Sequence, residues 1–152
     1  MGSIVEKVNN KIDGVVITSL KIIEVEGGDV LHAMKKNDPG YNGFGEAYFS
    51  IIKLGAIKAW KRHNQMILNL VVCLGEVRFV IYDDRLSSKE KPVFSEITLS
   101  REKFYRLTIP PQVWLGFQGI DDMNMILNIA DIKHNALEVD RKKQSEINYE
   151  WD

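Results

Sequence analysis

An all-β fold, a sandwich or barrel of short strands, is what this 152-residue sequence predicts. Three observations predict it. Apolar clusters are short and rich in Val and Ile, glycine, proline or charged turns separate them, and no amphipathic helical run lies between them. The length suits a single domain over residues 1–152, large enough to bury a core without disulfides or a structural metal.

The strands fall near 14–24, 46–53, 67–73, 76–82, 94–99, 105–109, 113–118 and 123–130. "GVVITSLKII" opens the first at Gly14. "LNLVVCLGEVRFVIYD" is the clearest strand pair, with Gly75 supplying a tight turn between two Val-rich segments. In its second half Val77, Phe79 and Ile81 alternate with Arg78, Val80 and Tyr82, the period of a strand with one better-buried face. "LSSKEKP", residues 86 to 92, is a polar loop. In "TIPPQVW", 108 to 114, two prolines lack the N–H a central ladder needs, which predicts a rigid turn into the next strand. Residues 29 to 44 have no clean periodicity and are expected to cross the surface. The last 22 residues are polar apart from a few anchors and end in "INYEWD", which is expected to dock against the sheet.

Several classes of function are disfavoured by the totals. A formal charge of −1 gives no global basic field for nucleic acid. The single cysteine, Cys73, leaves no intrachain disulfide and no Cys–Cys metal motif, and its apolar neighbours make it a buried hydrophobe. No run of 18 apolar residues suggests a membrane span, and the N-terminus turns polar at once, so a cytoplasmic location is expected. The sequence carries no His-x-His, no HExxH, no glycine-rich phosphate loop and no G-x-S-x-G elbow, so neither a metal site nor nucleophilic catalysis is expected.

One stretch stands apart. "IKAWKRHNQM", residues 57 to 66, places a tryptophan, basic residues, a histidine, an asparagine and a glutamine between two apolar runs. If it is an unbroken strand, Lys61, His63 and Gln65 share one face, with Trp60, Arg62 and Asn64 on the other. His63 then has two readings, a proton acceptor in a pocket or a half-exposed strand histidine bonded to backbone. "YDDR", Tyr82 to Arg85, is either a solvated strand end or a polar cap whose Asp holds a ring N–H. Trp60, Trp114, Tyr41, Phe44, Tyr48 and Phe117 are core residues or flat faces for a sugar or nucleotide, and nothing in the pattern sorts them.

Taken in order, "GFGEAYFS" (43–50), "IKAWKRHNQ" (57–65), "LVVCLGEVRFVIYDDR" (70–85), "ITLS" (97–100), "LTIPPQVWLGF" (107–117) and "EINYEW" (146–151) resemble the dTDP-4-dehydrorhamnose 3,5-epimerase family. That family has an F-x-E segment, a strand ending in H-x-Q, a G-x-V strand closing in D-x-R, and an I-P turn before Gly-Phe. The resemblance covers roughly residues 25 to 152. It implies a cupin-type jelly-roll barrel, here with a short polar C-terminal extension. It also implies a cofactor-free epimerase or isomerase acting next to the C4 ketone of a nucleotide-linked 4-keto-6-deoxy sugar. A non-catalytic sugar-nucleotide or carbohydrate-binding protein of the same fold is the alternative.

By motif position the resemblance makes His63 the base and Asp83 its polar partner, with no metal and no cofactor. It makes Phe44, Glu46, Lys61, Arg62, Gln65, Arg85 and Tyr149 substrate-binding. It also implies a homodimer with exchanged N-terminal strands, bound to neither nucleic acid nor membrane. The departures are as specific as the matches. The family arginine before the histidine is Trp60, its lysine falls at Leu68, its second histidine is Leu115 and its tyrosine falls at about Leu127. The aspartate that pairs with the base has only Asp152 as a counterpart, and the lost tyrosine leaves Tyr149 or a water as proton donor.

Overall fold

The computed structural model describes residues 12–85 and 92–152, together with the backbone of the short strand at 4–6. The loop expected at 86 to 92 lies almost wholly outside the described residues. No helix among them is long and apolar enough to cross a membrane.

Two antiparallel sheets pack face to face. The six-stranded sheet runs in the order β1 (Ile4–Glu6), β2 (Val16–Ser19), β10 (Tyr105–Ile109), β7 (Leu68–Leu74), β12 (Met123–Ala130) and β5 (Glu46–Lys53). The five-stranded sheet runs β13 (Val139–Arg141), β6 (Ile57–His63), β11 (Trp114–Gly119), β8 (Glu76–Asp83) and β9 (Val93–Ser100). A two-residue ribbon pairs β3 (Ile22–Ile23), the end of the segment expected as the first strand, with β4 (Val30–Leu31) in the expected surface crossing. The predicted strands are present, except that the one expected over 14–24 is broken into β2 and β3, which belong to different sheets. The strand at 57–63 is not in that set, because Lys58, Lys61, Arg62 and His63 leave neither face a regular apolar period. The all-β expectation holds, but neither sheet closes on itself: β1 and β5 are the edges of one and β13 and β9 of the other. The jelly roll is therefore an open two-sheet sandwich and not a closed barrel.

The main core lies between the sheets. Leu68, Leu70 and Val72 from β7, Leu107 and Ile109 from β10, and Ile52 and Ile126 meet Val77, Phe79 and Ile81 from β8. The opposite face of β8 is covered as well. Val80 packs with Trp60, Trp114, Ile147 and Trp151, which explains why β8 reads as nearly continuous apolar sequence. The expected docking of the C-terminus thus occurs, on the outer face of the five-stranded sheet. Arg78 Nη2 fastens it by donating to the carbonyls of Trp151 (2.7 Å) and Asp152 (3.2 Å).

One pairing differs from expectation. β7 and β8 are joined at Gly75 but are not a hairpin: β7 pairs with β10 and β12, and β8 pairs with β11 and β9. Both segments are apolar because each is interior to a different sheet, and the chain crosses the sandwich between them. Gly75 sits at φ 83° in the corner, where a Cβ would lie 2.2 Å from the Met123 carbonyl oxygen. Buried Asn124 clamps that corner, its Oδ1 accepting from Glu76 N (2.8 Å) and its Nδ2 donating to Ile52 O (3.0 Å). Gly75→Ala combines a left-handed backbone with a backbone clash, so it is expected to cost on the order of 2–4 kcal/mol in urea unfolding. A loss under about 0.5 kcal/mol would show that the corner relaxes freely.

Candidate active site

The polar stretch becomes a site through the strand pairs around it. β6 lies between β11 and β13, and its pairing with β11 shifts register between Leu115 and Phe117. Beyond the shift the expected alternation holds. Lys61 and His63 line a cavity of about 370 Å³ between the two sheets. Arg62 turns away, bonded to Asp140 (2.8 Å) with its guanidinium 4.7 Å over the Trp114 ring.

The antiparallel pairing of β13 with β6 puts Val139 opposite His63 and carries Glu138 beside the imidazole. His63 Nδ1 lies 2.6 Å from Glu138 Oε2. The other carboxylate oxygen accepts from the backbone N–H of Met66 (2.8 Å) and Gln65 (3.1 Å). An ionised carboxylate accepts only, so Nδ1 carries a ring hydrogen, and in the neutral imidazole the lone pair falls on Nε2. The backbone is pinned too: Gln112 N–H donates to His63 O (2.7 Å), an anchor supplied by the two-proline turn. Glu138 is 4% exposed. Burial pushes its carboxyl up, but the hydrogen bonds from Met66, His63 and Gln65 outweigh that and hold it below the usual carboxylate range.

The cavity has an apolar floor and a basic side. Leu68, Leu70, Leu115 and Ile126 form the first, while Lys58, Lys61 and Arg141 supply the second; Lys142 borders the cavity too, but its ammonium lies 4.9 Å over the Trp114 ring on the outer face. The Lys61 ammonium is pulled below its ordinary range by burial, then by the neighbouring Arg141 and Lys58 charges. On the wall opposite His63, β12 and β5 present Asn128 and Tyr48, paired across the two strands. Asn128 Nδ2 donates to the Tyr48 hydroxyl oxygen (3.1 Å). Concave sites of this kind, mostly apolar with a few convergent polar groups, bind small molecules.

Of the expected site residues, His63 and Lys61 come together in the cavity. Asp83 does not reach His63, because β11 lies between β8 and β6; it is buried against Arg85 instead (2.9 and 3.0 Å). Arg85 also donates to Asp13 O (2.7 Å), so that pair closes a strand end outside the cavity lining. Gln65 is exposed, and what it gives the site is its backbone N–H. Phe44 is 65% exposed, and Glu46 accepts from His134 N–H (3.0 Å). Tyr149 lies on the outer face, its hydroxyl bonded to Glu96 and its pKa pushed up to about 12 by burial and then by that carboxylate. Asp152 is exposed on the same outer face, where its carbonyl accepts from Arg78. Leu127 projects from the outer face of β12 beside Phe49, and the inward residue there is Asn128.

Glu138, Asn128 and Arg141 carry no mark in the sequence as site residues, and Tyr48 stands there only among the aromatic residues that are core or ligand-facing. Only the strand pairing unites them with His63, across 75 residues for Glu138 and 80 for the Tyr48–Asn128 pair. A carboxylate whose folded pKa lies below its unfolded value stabilises the fold above the unfolded pKa and loses that contribution as pH falls through the folded one. Glu138→Gln is therefore expected to cost about 1–3 kcal/mol at neutral pH. The gap to the parent protein should close as pH drops below about 4.3. Urea unfolding from pH 3 to 7 checks this; a gap that ignores pH would mean that the charge on Glu138 is not what stabilises.

No family model matches the chain. Solved structures do. The dTDP sugar isomerase of Desulfovibrio desulfuricans is 37% identical, with 88% of this chain and 86% of that one superposed at a TM-score of 0.84. The dTDP-4-dehydrorhamnose 3,5-epimerase of Sulfolobus tokodaii shares the fold at 19% identity, covering 98% and 86% of the two chains with a TM-score of 0.84. By sequence, the probable low-salt glycan biosynthesis epimerase of Haloferax volcanii is 29% identical over 84 residues. That match spans about half of each protein, 54% of this chain and 54% of the relative. With the two-sheet sandwich and the His63 cavity in place, the 37% match over most of both chains decides the classification: this chain belongs to the dTDP-4-dehydrorhamnose 3,5-epimerase family of cupin-type jelly-roll proteins, as a divergent member.

Proposed function

We propose that this protein is a cofactor-independent epimerase or isomerase of a nucleotide-linked 4-keto-6-deoxy sugar, with His63 as its base. The observation that carries this reading is the His63–Glu138 pair, whose imidazole lines a cavity bordered by the cationic side chains of Lys58, Lys61 and Arg141. A ketone at C4 makes the hydrogens on C3 and C5 acidic. His63 Nε2 removes one, and the electron pair left on carbon forms an enolate with the ketone oxygen. Glu138 stabilises the imidazolium that results, much as a buried carboxylate orients and supports a general base elsewhere. Lys61 supplies positive charge where the enolate oxygen develops its own, in surroundings where Leu68 and Leu115 keep the dielectric low. Lys58 and Arg141 suit the diphosphate of a nucleotide sugar.

A non-catalytic sugar-nucleotide-binding role is the second reading. It draws on Leu68 and Leu115, apolar where the family carries a lysine and a histidine. One experiment separates the two. In heavy water, the protein is expected to introduce deuterium at C3 or C5 of dTDP-linked 4-keto-6-deoxy sugars, read by proton NMR, and His63→Ala to lose at least about 100-fold of that rate. Binding of the same compounds without exchange would favour the second reading.

The proposed working state is a homodimer. Phe49, Ile51, Leu74 and Met123 are 48–64% exposed on the outer face of the six-stranded sheet, an apolar patch of the kind that marks an interface. Exchange of N-terminal strands is part of the proposal, although within one chain β1 pairs with its own β2. Sedimentation should give a dimer that Phe49→Lys with Ile51→Glu converts to monomer; a monomeric parent protein would remove the proposal.

A further inference from the structure

Inverting a carbon centre requires a proton to arrive on the face opposite the one it left. A single base cannot do both. His63 stands on the five-stranded sheet, so the partner group has to come from the facing wall of the cavity, β5 and β12 of the six-stranded sheet. That wall carries three polar side chains in the lining, Tyr48, Ser50 and Asn128. Of these only the phenol of Tyr48 is a practical proton donor, since a serine hydroxyl and a carboxamide are far weaker acids.

The hydrogen bonds around Tyr48 set which way its own hydrogen can point. Asn128 is 2% exposed and held at both ends. Its Oδ1 accepts from the backbone N–H of Asn69 (3.1 Å), a group that can only donate. The amide nitrogen must therefore face the phenol, and it donates to the Tyr48 oxygen at 3.1 Å. Tyr48 is thus an acceptor from Asn128, and its O–H hydrogen is left for the cavity.

We propose that Tyr48 delivers the proton to the sugar on the face opposite His63, with Asn128 as its positioning residue. This rests on the proton-transfer reading of the site. His63 Nε2 takes the C–H proton and the enolate forms. The enolate carbon then bonds the Tyr48 hydrogen on its other face while the C4 ketone is restored. Imidazolium returns its proton to water, and the phenolate takes one from water, so the enzyme regains its starting state with no net change in protons. Tyr149, bonded to Glu96 on the far side of the five-stranded sheet, has no part in it.

The test compares two rates on dTDP-4-keto-6-deoxyglucose in heavy water: deuterium entry into the unchanged substrate, and formation of the inverted product. In Tyr48→Phe, inversion is expected to fall about 100-fold or more while exchange through His63 stays within about 3-fold. Asn128→Asp replaces the amide by an isosteric acceptor, which turns the phenol hydrogen away from the sugar. It should move the ratio of exchange to inversion in the same direction, whereas a merely structural role would lower both rates together. Inversion at the parent rate in Tyr48→Phe, or an equal fall in both rates, would overturn the assignment of Tyr48 alone. Absence of exchange in the parent protein would overturn the proton-transfer reading itself, and the assignment with it.

Discussion

The buried carboxylate of Glu138 is the constraint on which the site depends. A charge in that position costs several kcal/mol of solvation unless its lone pairs are bonded. Here they are met by His63 Nδ1 and by the backbone N–H groups of Gln65 and Met66. The chain around it is tied to the same end of β6: Asn64 N–H donates to Glu138 O (2.8 Å), and its Nδ2 reaches Glu138 O (3.1 Å) and Asp140 Oδ2 (3.0 Å). One side chain thereby terminates β6, fixes the imidazole tautomer and fastens a segment 75 residues away in sequence.

That segment is held from its other side by aromatic packing. Trp60 Nε1 donates to Gln144 O (3.2 Å), and the backbones of Trp60 and Lys142 exchange hydrogen bonds of 2.9 and 3.0 Å. Trp60 and Trp151 rings lie 5.5 Å apart, and Tyr149 meets both. Together these contacts bury the outer face of the five-stranded sheet and give β13 a fixed height above β6. Arg141 reaches the cavity because of that placement, while the Lys142 ammonium rests over the Trp114 ring. The family's arginine position, occupied by Trp60, has exchanged a role in charge for a role in anchoring. Cations from β6 itself and from the C-terminal segment stand in its place.

The two walls of the cavity divide the proposed chemistry between them. The five-stranded sheet brings an imidazole with a fixed tautomer, and the six-stranded sheet brings a phenol whose hydrogen is directed by Asn128. Each arrangement is made by a side chain bonded to backbone, Glu138 to Gln65 and Met66 and Asn128 to Asn69, so neither depends on a flexible partner.

Local pattern alone determined the strands. Their Val- and Ile-rich alternation, the prolines at 110 and 111 and the glycine at 75 are properties of short windows, and each marks a real strand or corner. The order of motifs also determined the family and the place of His63. What tertiary structure decided is which strands pair. Gly75 reads as a hairpin turn, yet it is the point where the chain crosses between sheets, because turn chemistry is local and sheet membership is not. The same reason explains Glu138 and Tyr48. An acidic residue before a short edge strand and a tyrosine on another edge strand carry no local mark of function. Only the pairing of β13 with β6 and of β5 with β12 brings them to the cavity, whereas Asp83, in the more suggestive "YDDR", is spent on Arg85.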